Sequence, residues 1–543
     1  SGAPPGAGRP VLVRRATSRP EEVTLASMPT GPDAAHRILA RAAYGAQPGE
    51  AASLARQGLP AWLDHQLALP AEEPALDARL AALRLPIRYP AEDGRWPAME
   101  DSRPLTRLGQ SQPALFRLRP REDRPVPPPE VDRPRLELSV ATLVRKATAE
   151  AQLRERLVEF WHDHFSVAYT AGPAVSLSLI EHDRRIRGEA LGNFRALLEA
   201  MATSPAMLFY LNNQSSRAGA PNENYARELL ELHTLGRPAY LGAARSARDV
   251  PRDAAGQPAG YVDADVWEAA RAFTGWTVAA GQALDPGRRL PDSGEFAFVE
   301  PWHDPYQKLF LGRPLDPFAG AMAHGRAVLD ILAGHPATAR FVCGKLVRFL
   351  VGDPAPEPVV ARAVAAFRAQ AAAPDQIART VRAILAGPEI ADPRLGRMRR
   401  PLDALAAAAR AYAVPLAPGA AVFGQMAAAG QLPFGWASPD GQPLEAELYA
   451  GAGALRSRWA LLAGLARAGM GAGPSPLFEP IAGQPAPEVA GHLAALALGP
   501  AGGPVAATVA RVWAEAGRPD RPATAEVAEL AGWVLAAPAF QRS

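Results

Sequence analysis

The sequence predicts a mainly α protein: one large multi-helix domain with a small β-hairpin insertion and long proline-rich loops. Apolar residues recur at helical spacing from Leu136 onward, strand-like alternation is rare, and turn residues fall between the periodic stretches. The 543 residues are 48% hydrophobic and 21% charged, well away from chains too polar to offset their ordering entropy. The 56 prolines and 47 glycines therefore punctuate helices and do not signal disorder.

Residues 1–30 are rich in Pro, Gly and Arg without a period and read as an irregular arm. The main helical domain is expected over 31–395. Its first helix follows Pro32, with Asp33 as N-cap and Ile38, Leu39, Ala42 and Ala43 at helical spacing. A second helix covers Ala51 to Leu69. Residues 84–136 hold many prolines, Pro127, Pro128 and Pro129 among them, and no period, so they read as a long surface loop or a lid over a site. Helical patterning then runs from Leu136 to Val167. It recurs over 189–212, 222–235, 262–273, 320–333, 335–351, 358–371, 375–387 and 400–413. Glu295 to Val299 alternate, and with Tyr306 to Leu311 they predict a hairpin within 294–312. A boundary near 390–400 opens a C-terminal helical region, 396–543, packed on the main domain, with Phe434-Gly435-Trp436 and Pro439-Asp440-Gly441 turns near its start. The uncharged stretch Leu493 to Ala510 contains Pro500 and Pro504. It reads as two helices joined by a turn and not as a membrane span.

Several function classes lose support. The single Cys343 excludes an intrachain disulfide, an all-Cys zinc site and a four-thiolate cluster, and its apolar helical context reads as structural. A net charge of +3 gives no reason to expect a nucleic-acid partner. There is no phosphate-binding loop, dinucleotide fingerprint, nucleophile elbow or H-E-x-x-H. Of 58 basic residues three are lysine, Lys146, Lys308 and Lys345, a bias that fits a GC-rich genome.

Three segments concentrate chemistry. In Glu159-Phe160-Trp161-His162-Asp163-His164-Phe165 a helical wheel places His164 with Leu153, Phe160, Trp161 and Phe165 on the core side, and Glu159, His162 and Asp163 on the polar side. In Asn222 to Gly236, the residues Glu223, Asn224, Arg227, Glu228 and Glu231 share one face, and His233 lies with Tyr225, Leu229 and Leu230 on the other. The bland account is a solvated ion-pair ladder capped by Asn222 and stopped by Gly236; the sharper one is a polar cleft. His303-Asp304 offers adjacent N and O donors in a turn, or only a turn stabilised by Asp304. Together the segments supply the imidazole and carboxylate donors that suit a divalent ion such as Zn, Mn or non-haem Fe, with His164, His233, His303 and Asp304 as ligands. Glu228 or Glu231 would then be the general base on a metal-bound water, and Arg227 or Lys308 would stabilise developing negative charge. His162, Glu223 and Asn224 would support the ligands. The remaining histidines, His324 among them, sit in ordinary helix or helix-start contexts.

These same residues carry a resemblance. Phe160 to Phe165, Asn222 to Gly236, Asp265 through Arg271 to Thr274-Gly275-Trp276, and His303-Asp304 with Lys308 and Gly312 resemble, in order and approximate spacing, the bacterial domain-of-unknown-function 1800 family. The similarity extends over about residues 34–543. It implies one long, largely helical unit, and family members are often exported and encoded beside sulfatase- or phosphatase-like exported proteins. That points to a periplasmic or secreted protein, although no signal peptide is visible here. The resulting expectation is a metal-dependent enzyme, hydrolytic, acting on a small-molecule or polymer substrate. A non-haem iron oxidoreductase and a non-enzymatic binding or scaffold protein are the alternatives.

Overall fold

The computed structural model describes residues 31–243, 249–253, 256–285 and 287–543, so the arm expected over 1–30 lies outside the described residues. The chain is mainly α with a few short antiparallel strand pairs. The first helix, Pro32–Ala42, begins on Gly31, with Pro32 in the first turn, where its missing N–H costs nothing. Asp33 is therefore not the N-cap expected from the sequence. It lies one residue inside the helix, and its Oδ1 accepts from the Ala501 N–H at 3.1 Å.

Two apolar clusters form the interior. The first gathers the Gln152–His164, Pro173–Glu189, Phe194–Ala202, Pro336–Leu350 and Gln376–Leu385 helices. The second gathers Pro401–Ala411, Ala452–Ala468, Ala486–Leu498 and Thr524–Ala536. The Pro128–Thr148 helix stands between them, with Leu138 in the first and Val140, Leu143 and Val144 in the second. The apolar stretch Ala486–Glu515 is long and apolar enough by composition to cross a membrane. Here it is two helices that pack on each other, Ala486–Leu498 and Gly503–Glu515, broken at Gly499, which adopts φ 70°.

Two expectations are corrected. Residues 84–136 are no featureless loop. Arg84–Tyr89 and Met99–Pro104 form an antiparallel hairpin with Leu85 and Ile87 turned inward, and the next long helix starts at Pro128. Prolines hid both elements, because a two-stranded ribbon has only edge strands and a helix accepts proline in its first turn. The buried Arg133 fastens ribbon to helix, donating to the carbonyls of Leu85 at 3.0 Å and Arg103 at 2.8 Å and to Glu137 at 2.7 Å. The hairpin over 294–312 is really two ribbons. Asp292–Phe298 pairs with Trp276–Ala280, and Lys308–Phe310 pairs with Arg313–Leu315. A 3-10 turn over Glu300–Trp302 separates them, and Trp276 across from Phe298 gives the first ribbon its apolar pair.

Candidate active site

The polar face of the last turns of the Gln152–His164 helix is not simply solvated: Glu159 is buried, and His162 and Asp163 are half-buried. Glu159 accepts from Tyr44 Oη at 2.7 Å, from Lys146 Nζ at 2.7 Å, from Arg156 at 3.0 Å and from Arg400. Arg400 also reaches Asp163 Oδ2 at 2.7 Å, and Arg397 reaches Asp403 at 3.0 Å. Burial and the nearby Asp403 push the Glu159 carboxyl up, but Lys146, Arg400 and Arg156 outweigh them and hold it below the usual carboxylate range. His162 contacts Asp183 Oδ1 through Nε2 at 3.0 Å, and Asp183 takes a further bond from Arg187 at 2.8 Å. Burial alone would raise Asp183; Arg187 and His162 keep it ionised. Lys146, Glu159, His162, Asp163, Asp183 and Arg187 line a cavity of about 70 Å³ together with Phe434 and Trp436. Phe434 sits edge-on to His162 at 5.0 Å and occupies the left-handed region at φ 58°.

His164 does turn to the apolar core, as its wheel position predicts. Its Nε2 donates to the carbonyl of His233 at 3.0 Å, which leaves Nδ1 as a bare lone pair with no partner among the described residues. That carbonyl points at His164 because the second segment is not a regular helix. Asn222 caps it, its side chain accepting from the Tyr225 N–H, and Glu223–Glu228 is α-helical, but Leu229–His233 is wound as a π turn. Such one-residue expansions recur at functional sites. Thr234 Oγ1 stops the turn by donating to Leu229 O at 2.6 Å. His233 is buried, and its Nε2 has no partner among the described residues. Burial and then the Lys345 charge lower both rings, His233 to about 3, so both are neutral.

Two glycines bring neighbouring segments against this pair. Gly236, at φ 86°, lies so flat on Phe341 that a Cβ would be 2.5 Å from the ring; Gly441, at φ 88°, would place one 2.1 Å from Asp163 O. Phe341 of the Pro336–Leu350 helix thereby meets the residues that follow the π turn, and the 431–442 loop meets the end of the Gln152–His164 helix. Lys345, on the Pro336–Leu350 helix, is half-buried, its Nζ 5.4 Å from the centre of the Phe341 ring and without a hydrogen-bond acceptor among the described residues. Burial lowers it to about 8, against the raising effect of Asp163 and Asp440. Glu228, at the start of the π turn, is also half-buried and unpaired among the described residues, raised by burial, then by Glu231. Asp440, held by Trp436 Nε1 at 3.2 Å, acts on both. The rest of the polar face is engaged elsewhere: Glu231 with Arg237 at 2.7 Å, Arg227 with Asp263 at 3.2 Å, Glu223 with Arg227 at 3.9 Å, and Asn224 with Leu211 O at 3.4 Å.

His303, Asp304 and Lys308 form a separate cluster. Asp304 is clamped by Arg271 at 2.8 and 3.1 Å, and Lys308 Nζ donates to the carbonyls of Asp304 and Tyr306, both at 2.7 Å. His303 meets His324 instead of His164 or His233. The structure thus brings His164 and His233 together, with ring centres 6.1 Å apart. No group of three or more His, Cys, Asp or Glu side chains placed to hold a metal ion occurs among the described residues. Sequence reasoning missed Lys345, Asp440, Asp183 and His324. Lys345 had left one signal, as one of three lysines in a chain that otherwise uses arginine.

A family model described as "Protein of unknown function (DUF1800)" matches residues 37–542. No curated protein and no solved structure matches the chain.

Proposed function

Since the chain belongs to the DUF1800 family, whose description assigns no activity, we propose from its geometry that it is a hydrolytic enzyme working by acid–base catalysis near Asp440, where the 431–442 loop acts on both Glu228 and Lys345. The observation that carries this reading is that these two half-buried charged groups are unpaired among the described residues. Glu228 and Lys345 have no partner among the described residues, whereas Glu159, Asp163, Asp183 and Asp403 all do. A carboxylate raised by burial is suited to take a proton from water near neutral pH. The desolvated ammonium of Lys345, which shares the field of Asp440 with it, would attract an oxyanion on the substrate and neutralise the charge that develops as water attacks.

The test is turnover on a panel of carboxylic, phosphate and sulfate esters by Glu228→Gln and Lys345→Met. Both should lose at least ~100-fold in kcat/KM with Tm near that of the parent. Wild-type turnover that neither substitution changes would sink the reading. The non-enzymatic alternative is favoured by one observation, that every carboxylate of the Glu159 network has a cationic partner, and it requires that both substitutions leave every chemical readout unchanged.

A further inference from the structure

The cavity beside His162, of about 70 Å³, is rich in charged residues and yet offers no free charge. Lys146 pairs with Glu159 at 2.7 Å, Arg187 with Asp183 at 2.8 Å and with Glu155 at 2.7 Å, and Asp163 with Arg400 at 2.7 Å. Four uncharged side chains lining the same cavity each keep an atom without a partner among the described residues. His162 gives its Nε2–H to Asp183, an ion-paired carboxylate that only accepts, so in the neutral ring Nδ1 is a free lone pair. Gln431 Oε1 accepts from the Leu402 N–H at 2.8 Å, which fixes that amide and leaves its NH₂ free. Gln442 donates to the Gly430 carbonyl at 3.2 Å and to Tyr449 Oη at 2.8 Å, which leaves its Oε1 free. The Ser166 hydroxyl, on a residue only 6% exposed, makes no hydrogen bond at all. None of these four atoms is among the unpartnered ones sealed from water. Two acceptors, a double donor and a hydroxyl therefore stand open in one small space.

We propose that this cavity binds a small neutral polyol, a molecule of glycerol size whose hydroxyls both donate and accept, held by His162, Ser166, Gln431 and Gln442. The charge pairing selects against ions, since a charged ligand would lose its hydration and find no free counter-charge. Size selects against water alone. One water needs roughly 10–15 Å³ on the same scale, so the space takes several, each paying its own immobilisation. Hydroxyls joined on one carbon chain meet the same four atoms as a single molecule, and their C–H groups pack on the aromatic wall of Phe434 and Trp436. Phe434 carries a second, independent mark of a built site. It sits at φ 58°, where a non-glycine side chain is strained, and the Tyr169 N–H holds it there by donating to its carbonyl at 3.0 Å. Such strain persists where the surroundings enforce it, and it clusters at ligand clamps. The cavity uses neither Glu228 nor Lys345, so the inference stands whether or not the chain hydrolyses esters.

The experiment is titration of the full chain, carrying nitrogen-15 in its histidine rings, with glycerol. The His162 Nδ1 resonance should shift saturably, while the rings of the exposed His65 and His492 stay still. Glycerate and 3-amino-1,2-propanediol, an anion and a cation of similar size, should bind at least ~10-fold more weakly. Ser166→Ala should weaken glycerol binding by roughly 2–10-fold, with a melting curve to show that it is folded, and Glu228→Gln should bind as the parent does. A glycerol ether with a long alkyl chain separates two sources of the same hydroxyls: binding of glycerol alone assigns a free polyol, and binding of both assigns the glyceryl end of a larger molecule. The proposal is overturned if His162 Nδ1 does not move, if all histidines drift together without saturation, if either charged analogue binds more tightly than glycerol, or if folded Ser166→Ala binds unchanged. Should that variant not fold, the His162 shift and the charged analogues on the parent decide the matter.

Discussion

Lys345 and Glu228 owe their chemistry to what surrounds them, and that makes their protonation states measurable through rate. Burial lowers Lys345 to about 8 and raises Glu228 above the ordinary carboxylate value. If Glu228 works ionised and Lys345 works charged, kcat/KM rises with pH as Glu228 loses its proton and falls again above about pH 8 as Lys345 loses its own. Lys345→Arg, which stays charged throughout, should remove the alkaline limb and leave the acid one. An alkaline limb unmoved by that change would detach Lys345 from the reaction. At this scale the sequence was partly readable. The inward turn of His164 and His233 follows from helical periodicity, since their neighbours Phe160, Trp161, Leu229 and Leu230 are apolar. The effect of Asp440 on both Lys345 and Glu228 did not follow, because it comes from segments about a hundred residues or more away in the chain. The lysine bias was in plain view as a composition fact, and only the environment of each lysine gives it chemical meaning.

At the scale of elements, the π turn is what joins the H-x-H segment to the Asn222–Gly236 block. Leu229–His233 holds one residue more per turn than an α-helix, and this aims the His233 carbonyl at His164 Nε2. Deleting Leu232 should let the turn relax to α and swing His233 about 100° around the axis. The His164 bond would break, and the buried Nε2–H would lose its acceptor at a cost of about 1–3 kcal/mol. Thermal melts and the His164 ring resonances test this: the deletion should lower Tm and shift that ring's signals, and an unchanged His164 environment would refute the assignment. Gly441→Ala acts on the same junction from the loop side. Its positive φ and the Asp163 carbonyl 2.1 Å from the new Cβ should drive the 431–442 loop off the helix end. The expected cost is more than about 2 kcal/mol, with turnover lost alongside. A π expansion leaves no mark on a periodicity pattern, so a regular helix over 222–235 was the natural reading of the sequence. The ribbon at 84–104 was hidden for a different reason, since Pro86 and Pro104 are tolerated only because both strands are edges.

Across the whole molecule, the charged seam around Glu159 ties together regions that the sequence places on opposite sides of residues 390–400. Glu159 and Lys146 belong to helices before that boundary, and Arg397, Arg400 and Asp403 lie beyond or at it. Mainly helical architecture was legible from spacing alone. This seam was not, because charged residues on a helix read as a solvated face until something is known to cover them. Removing one partner from a buried, fully paired group leaves the other charge stranded, which costs about 3–5 kcal/mol. Arg400→Met should therefore destabilise the protein by that amount, since Glu159 and Asp163 both lose their shortest guanidinium contact. Pairing it with Glu159→Gln removes the stranded charge. The double variant should then be less destabilised than the sum of the two single changes, by roughly 0.5–3 kcal/mol. Denaturant melts of the three variants measure that difference. Simple additivity would mean that Arg400 and Glu159 are not energetically linked. A coupling of the expected sign would make the seam a reason why neither region folds well without the other.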